Sequence, residues 1–494
     1  MNSRSTLCAA AARRTFRTLS LVLALGPGVA AAQTITLRQA VDMAQRQGLQ
    51  ATAAAATRDA ARARDHAFGA RLFPQITMSQ QATSYSFARN IQPVIQPDGS
   101  TQFKPVEQRT ANAGLTISQR VPFTGTTMSV TSSLQRVERR GTTSQTTFGS
   151  VPVSLSIIQP VLRPNSMRWD GRARDLTIEA AERQYLEGRE QIAGQTTAAF
   201  FDFFIAKRTL NNQITNAAIN DTLFTLNKGR LEVGKISEND LLQSELALLR
   251  SRVALDNARL EFDRTRAAFR LAINAPIEAQ LDVEVPSAIP MIDPDTTVAV
   301  TQALANRAQM SDQELQGVTA KRRVAEAQLN NGLGASVTAS VGLNQTGPVM
   351  DSVYKSLLQA QRFSIGVDIP LLQWGSRRAD VQAARLDEKR VEATSRAARE
   401  QVIHESHFAA LQLSQAKRTV AVSAKADTVA QKRFDVAYSR YVIGRIGVDI
   451  LYTAQTEKDQ AVNAYLQALR NYWATYYRLR QVTLYDFEAG VPIR

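Results

Sequence analysis

Phe363-Ser-Ile-Gly-Val-Asp-Ile-Pro370 alternates apolar with small or polar residues, passes through Leu371-Leu-Gln-Trp-Gly375, and gives way to a helical pattern that runs to Val482. Apolar residues at every second position mark a strand with two unlike faces, and the change to a spacing of three and four marks a helix. One interruption breaks the helical run, Tyr441-Val-Ile-Gly-Arg-Ile-Gly-Val-Asp449. The stretch therefore reads as strand, long helix, tight turn, and long helix returning. The same unit occurs earlier in the chain. A constant shift of 210 residues pairs Pro160 with Pro370, Arg168 with Arg378, Asp170 with Asp380, Ala206-Lys-Arg-Thr209 with Ala416-Lys-Arg-Thr419, Gly234 with Gly444 and Leu241 with Leu451. No gap is needed across these positions, so the chain contains an internal duplication.

Working outward, each repeat is expected to open with a helix. Leu37, Ala40, Val41 and Ala44 mark one face of a helix from Thr34 to about Ala70, and Val300-Thr-Gln-Ala-Leu304 leading to Leu333 is the weaker counterpart. Gln39-Ala40 meets Gln302-Ala303 at a shift of 263, so the first repeat carries 53 extra residues before Pro160. They lie in 75–160, rich in Ser, Thr, Gln and Gly. There Ile76-Thr-Met-Ser79, Leu115-Thr-Ile-Ser118, Met128-Ser-Val-Thr131 and Val153-Ser-Leu-Ser-Ile157 have a period of two. The second repeat offers Val337-Thr-Ala-Ser-Val-Gly-Leu343 and Phe363–Ile369. A half-buried soluble sheet and a membrane barrel both give such alternation. Segment length, and Ser, Thr and Gly on one face, favour a barrel with apolar residues toward lipid. Segment 88–108, with Pro93, Pro97, Asp98-Gly99 and Pro105, reads as a long exposed loop.

The returning helices explain how such lengths are sustained. Leu241, Leu248, Leu255, Phe262 and Phe269 recur every seven residues; Leu451, Tyr465, Tyr472 and Leu479 match them, with Lys458 the exception. Ala454, Ala461 and Ala468 form a second stripe. Seven-residue spacing gives a left-handed coiled-coil seam, and two stripes on one helix imply neighbours on both sides. The expected organisation is a leader over 1–32; a first repeat over 33–275 with strands about 75–160 and a helical hairpin over 166–272; a linker over 276–297; a second repeat over 298–482 with strands about 336–370 and a hairpin over 376–482; and a tail over 483–494. Pro276, Pro286, Pro290 and Pro294 make the linker a crossing segment on the outside of the helices.

Arg4, Arg13, Arg14 and Arg17, then Leu19-Ser-Leu-Val-Leu-Ala-Leu25, then Ala30-Ala-Ala32 have the form of a secretory signal peptide. The single cysteine, Cys8, precedes the apolar core of that leader, so the protein is expected not to be lipidated and to hold no disulfide or thiolate metal site. No later apolar run is long enough for a membrane helix. An exported chain that enters a membrane must then do so as a closed barrel. The charge of +15 is spread among Glu and Asp on helices, which reads as solvated faces rather than a nucleic-acid surface.

No catalytic constellation is present, and no enzyme or cofactor is expected. Gly229-Arg-Leu-Glu-Val-Gly234-Lys235 has phosphate-loop spacing, but Ile236 stands where a Ser or Thr must reach the metal and a helix precedes it. His404-Glu-Ser-His407 puts two imidazoles three apart with no third ligand.

Taken together, the leader, the alternating strands, the paired long helices and the repeat resemble the outer-membrane efflux protein family, the TolC-like channels. The most specific marks are Ile158-Gln-Pro-Val-Leu-Arg163, Ile369-Pro-Leu-Leu-Gln-Trp-Gly375, and the turns Arg230-Leu-Glu-Val-Gly234 and Arg440-Tyr-Val-Ile-Gly444. The resemblance implies a mainly α fold with a transmembrane β-barrel. Three chains would form one tube through the outer membrane and across the periplasm. It would serve a tripartite efflux or type I secretion system, passing drugs, metals or proteins from an inner-membrane pump through a periplasmic adaptor. It further implies a periplasmic gate at Tyr441, Arg445, Asp449, Asp240 and Asn239, and adaptor contacts at Val233, Gly234, Ile443 and Gly444. Family members commonly give two strands per repeat, whereas 75–160 offers up to four; the extra hairpin, near 111–136, either lengthens external loops or adds strands to the barrel. A surface-exposed trimeric coiled-coil adhesin or scaffold is the alternative of a different class.

Overall fold

The computed structural model describes residues 33–78, 83–95, 98–141, 144–277, 281–284, 289–290, 292–330 and 332–494. The expected leader with Cys8, and also Ser79, Pro97 and Pro286, lie outside them. Two helices dominate: α3 (Ser166–Glu232) and α7 (Ser376–Val442), each 67 residues long, about 100 Å at 1.5 Å per residue. Each turns back into a shorter partner, α4 (Glu238–Ala272) and α8 (Val448–Thr483). Both pairs keep the 210-residue offset. The seven-residue stripe explains the pairing: Leu248, Phe269, Leu451, Tyr472 and Leu479 are all buried. Lys458, the exception, is buried too. Its Nζ sits 3.5 Å from the Asp459 carboxylate, 3.3 Å from Asn216 Oδ1 and 4.6 Å over the Phe434 ring, so the charge is balanced by an ion pair, a carbonyl dipole and a π face.

Each repeat opens not with one helix but with two. In the first, Gln33–Thr36 form a strand, β1, followed by α1 (Leu37–Gln47) and α2 (Leu49–Ala70). Thr36 and Gln39 close a reciprocal capping box that fixes the start of α1. Gly48 ends it in extended backbone, where a Cβ would lie 2.3 Å from the Ala44 carbonyl oxygen. The second repeat has α5 (Thr296–Asn306) and α6 (Ala308–Asn330), parted by extended Arg307. β1 pairs in parallel with β7 (Leu281–Glu284), a strand inside the linker. The linker crosses the helices: Tyr472 Oη donates to the Pro290 carbonyl, and Ser414 Oγ donates to Asp293 at 2.9 Å.

The long helices do not bundle around a common axis. They form one curved layer, in the order α2–α3–α6–α7 near the sheet and α4–α3–α8–α7 toward the far turns. The main apolar core lies at mid-length, where Phe200, Phe201, Phe203 and Phe269 meet Leu413, Leu469, Tyr472 and Trp473 beneath the linker.

Apart from a short pair in the tail, Tyr485–Asp486 with Val491–Pro492, the remaining described strands form one sheet in the order β2–β4–β5–β6–β8–β9, with β3 also paired to β4 on the β2 side. They are β2 (Gln75–Thr77), β3 (Ser84–Ile95), β4 (Thr101–Arg120), β5 (Thr127–Arg140), β6 (Ser144–Val161), β8 (Gly334–Gly347) and β9 (Leu358–Asp368). The expected loop over 88–108 is instead the β3–β4 hairpin, closed by an Asp98–Ser100 turn. Its prolines obscured it. Pro93 lies on an edge strand, and Pro105 lies beyond the end of β5, whose pairing begins opposite Glu107, so neither removes a needed ladder bond.

At the end of α8, Arg480 joins three segments. Its guanidinium donates to Glu190 on α3 at 2.9 Å and to Asp486 of the tail, and lies 5.6 Å from the Tyr476 ring. The Glu190 side chain is 6% exposed. Arg480→Ala should therefore strand a buried carboxylate, at a cost of about 3–5 kcal/mol. A thermal melt followed by circular dichroism should show a drop of several degrees, partly restored in the Arg480→Met, Glu190→Leu double variant.

Candidate functional site

Cross-strand partners share a face, so the register sorts the sheet's side chains into rows. One row reads Ile76, Ile117, Val130, Leu155 and Val341 across β2, β4, β5, β6 and β8. The next row, on the opposite face, reads Gln75, Ser118, Ser129, Ser156, Ser340 and Arg362. The exposure is inverted relative to a soluble sheet. Ile117, Val130, Leu155 and Val341 are exposed, whereas Ser118, Ser129, Ser156 and Ser340 are half-buried although smaller. The sheet curls around its polar face and presents its apolar face outward. Charges mark both ends of the sheet: Arg136, Glu138 and Arg140 stand on the apolar face at the end away from the helices, and near the helices Arg163 pairs at 2.7 Å with Asp368, which shares the polar face with Arg362. Between them β5 runs nine residues, Thr127 to Gln135, the length of a tilted strand across hydrocarbon.

The far end of the molecule is made by the two helical turns. Gly234 and Gly444 both take left-handed backbone, φ 68° and 74°, and the following amides, Lys235 and Arg445, close back on the carbonyls of Arg230 and Arg440 at 2.8 and 2.9 Å. The turns are superposable by sequence, yet apart from Arg230, whose repeat partner is Arg440, they are joined by side chains that the repeats do not share. Tyr441 is buried and its hydroxyl donates to Asn227 Oδ1 at 2.7 Å; Asn227 Nδ2 donates to Ser244 Oγ at 2.6 Å. Ser244 Oγ in turn donates to the Asp240 carbonyl at 2.9 Å. Arg230 of the first turn donates to the Val442 carbonyl at 2.9 Å and lies 5.2 Å from the Tyr441 ring centroid. Beside this clasp burial raises the pKa of the Tyr452 phenol.

Of the expected gate residues, the structure brings the Tyr441 side chain and the Asp240 backbone carbonyl into this clasp and leaves the other groups outside it. The Asp240 carboxylate accepts from the Ser237 amide at 3.1 Å and its hydroxyl at 2.8 Å, a capping box that starts α4. Asn239, Arg445 and Asp449 are exposed on the turns. Val233 and Ile443 stand out at the extremity, 67% and 63% exposed, beside Gly234 and Gly444. Asn227 and Arg230 were missed by the sequence reading. The signal was available for Asn227, whose repeat partner is Ala437, as Leu231 is the repeat partner of Tyr441.

The remaining candidates carry no chemistry. Gly229 lies within α3, so no phosphate loop forms. His404 and His407 flank Phe408, with ring centroids 6.5 and 5.5 Å apart, and among the described residues no group of three ligating side chains could hold a metal.

The two flanks of the helical layer remain uncovered and match in kind. On α4, Leu242, Leu246, Leu249, Val253 and Leu260 are exposed. On α7, Val422, Val429 and Val436 are exposed at seven-residue spacing, continuing to Ile443. Both are coiled-coil seams lacking a second helix.

The Tyr441 hydroxyl fills the need of a buried amide, so Tyr441→Phe should cost about 1–3 kcal/mol locally. Amide exchange over 441–447 should quicken about tenfold or more, while Arg445→Ala, at an exposed position, should leave it unchanged.

Residues 104–275 match the family model described as outer membrane efflux protein. No curated protein matches the sequence. Among solved structures, the CmeC outer membrane channel of Campylobacter jejuni is similar at 15% identity and a TM-score of 0.66, over 92% of this chain and 86% of that one. The VceC outer membrane protein of Vibrio cholerae is similar at 13% identity and 0.64, over 93% and 97%. The open-state MtrE channel of Neisseria gonorrhoeae is similar at 14% and 0.61, over 90% and 88%. At these identities the likeness is one of fold, and with the family match it bears out the resemblance read from the strand-to-helix passages.

Proposed function

We propose that this chain is one stave of a passive outer-membrane exit duct. Copies close side by side, the sheet becoming a barrel in the outer membrane and the helices a tube across the periplasm. An inner-membrane pump and a periplasmic adaptor would deliver substrate to the far end, for efflux or type I secretion. The observation that carries this reading is the inverted sheet: an exposed apolar band nine residues tall, charged at the rim away from the helices, over a sheltered face of Ser and Thr. A soluble sheet has no reason to turn its greasy side outward, and a barrel in lipid requires it.

A closed homotrimer is supported by the two unpartnered seams. The α4 stripe of one copy is complementary to the α7 stripe of the next, and together they would bury aliphatic side chains along the whole lower tube. In that ring the helical turns converge at the narrow end. The clasp of Tyr441, Asn227 and Arg230 holds the two turns of each copy together, and Asp240 shapes the first turn through its capping box. Asp449, Arg445 and Asn239 are free to face the opening. A ring of Asp449 carboxylates focuses negative potential and favours cations. Val233 and Ile443, with Gly234 and Gly444, form the apolar, backbone-rich extremity offered to the adaptor.

In a planar bilayer the protein should give small, cation-selective channels. Tyr441→Phe combined with Arg230→Ala should raise their conductance severalfold by loosening the clasp. A trimer that never conducts would move the chain to the adhesin class. Separately, Leu246→Asp on α4 or Val429→Asp on α7 should convert the detergent-solubilised trimer to monomer in sedimentation, since either places a charge in a desolvated seam.

A further inference from the structure

The sheet and the helical layer carry different numbers of elements in register. α2 leads into β2, β6 into α3, α6 into β8 and β9 into α7, so four helices meet four strands in the same lateral order. β4 and β5 are extra. They stand between β2 and β6, paired along their length to both neighbours, and connect to no helix. Their turn, 121–126, sits at the helical end of the sheet. Gly125 there has φ 76°, and its amide donates to the Val121 carbonyl at 2.8 Å. Asn165, the cap of α3, donates to the Pro122 carbonyl at 2.7 Å while accepting from the Arg168 amide at 3.3 Å. Gln119 Nε2 donates to the Leu72 carbonyl just after α2, at 3.2 Å. The hairpin is therefore seated in the wall, wedged between α2 and α3, and is not an external loop.

Arc length shows what it does. Four helices side by side span about 40 Å of circumference at roughly 10 Å each. β2 and β3 pair successive stretches of one side of β4 and occupy a single lateral position, so the sheet is six strands wide; six strands about 4.8 Å apart and tilted by about 40° span about 38 Å, whereas four would span about 25 Å. We infer that six strands per chain make the barrel as wide as the helical tube, so that the outlet imposes no size limit and cargo is selected at the narrow tip alone. This rests on the duct reading of the preceding subsection. The ring closes when the free β9 edge of one copy pairs with the free β2–β3 edge of a second copy. The polarity is correct: β2 runs away from the helices and β9 returns toward them, so the junction is antiparallel. It also satisfies the two edges left unpaired among the described residues of the sheet, which hydrocarbon cannot leave open. Three copies then give 18 strands and a backbone diameter of about 36 Å, against about 24 Å for 12 strands.

The decisive measurement is a density map of the intact protein in lipid nanodiscs. Eighteen strands around the ring support the inference, and twelve, with β4 and β5 lifted out of the wall, overturn it. The functional counterpart is excision of residues 101–140, which joins β3 to β6 and keeps every helix connection. In channels opened by Tyr441→Phe and Arg230→Ala, neutral polymers added from the outlet side should enter up to a radius of about 13 Å in the full chain. In the excised chain the limit should fall to about 7 Å, roughly halved. An unchanged limit would overturn the inference. Absence of conductance in the intact chain would instead defeat the duct reading, while the strand count would still stand by itself.

Discussion

Everything in this fold depends on the fact that a backbone amide or carbonyl facing hydrocarbon must find a partner within the protein. The seven-stranded sheet cannot meet that demand by itself, because its two edges, β2 with β3 on one side and β9 on the other, each have one free side. It is too short to curl into a barrel alone, since even eight strands leave room only for side chains. The helices repeat the predicament in apolar form, with Leu and Val seams on α4 and α7 that nothing in the chain covers. A single copy is an unfinished structure, and both of its incomplete flanks lie on the same two sides. What completes the sheet therefore also completes the helical wall.

Duplication supplies most of the architecture, and the side-chain contacts between the two halves are concentrated where the repeats differ. The two helical turns agree in backbone to the level of the same left-handed glycine and the same closing amide. The contacts that join them exploit mismatches: Asn227 against Ala437, Tyr441 against Leu231, Ser244 against Ala454. Lower on the tube wall the same holds. Asn212 and Asn216 hydrogen-bond the Asp459 carboxylate at 2.7 and 2.8 Å, where the second repeat carries Val422 and Ala426. Two identical hairpins would pack symmetrically and interchangeably. Polar residues on one side only give each interface a distinct partner and a defined register.

The features with a strong period were legible in the sequence. The long helices, their offset and the buried stripe from Leu241 to Phe269 all followed from spacing. So did the two-faced strands, since alternation and face are one observation in a sheet. What spacing could not show was pairing over long range. Gln33–Thr36 looks like the start of a helix because only its contact with Leu281–Glu284 makes it a strand. Pro93 and Pro105 concealed the β3–β4 hairpin, because whether a proline is tolerated depends on which side of the strand is occupied. At the tip, the family's pattern pointed to the carboxylate of Asp240, whereas that carboxylate is engaged by Ser237 and the phenol meets an amide instead. The resemblance pointed to a tyrosine that is buried between the two turns and could not give its partner in this chain, which is set by the helix face of α3.

The turn at 121–126 has a meaning for how such proteins diversify. A hairpin enters the wall as an up strand and a down strand together, so parity is preserved and the neighbouring chains still meet head to tail. Asn165 holds the 121–126 turn with the same side chain that caps α3, so the hairpin is seated without any change of helix connection. A membrane pore built this way can be enlarged by local insertion, two staves per subunit at a time, while the machinery at its opposite end remains untouched and free to evolve on its own schedule.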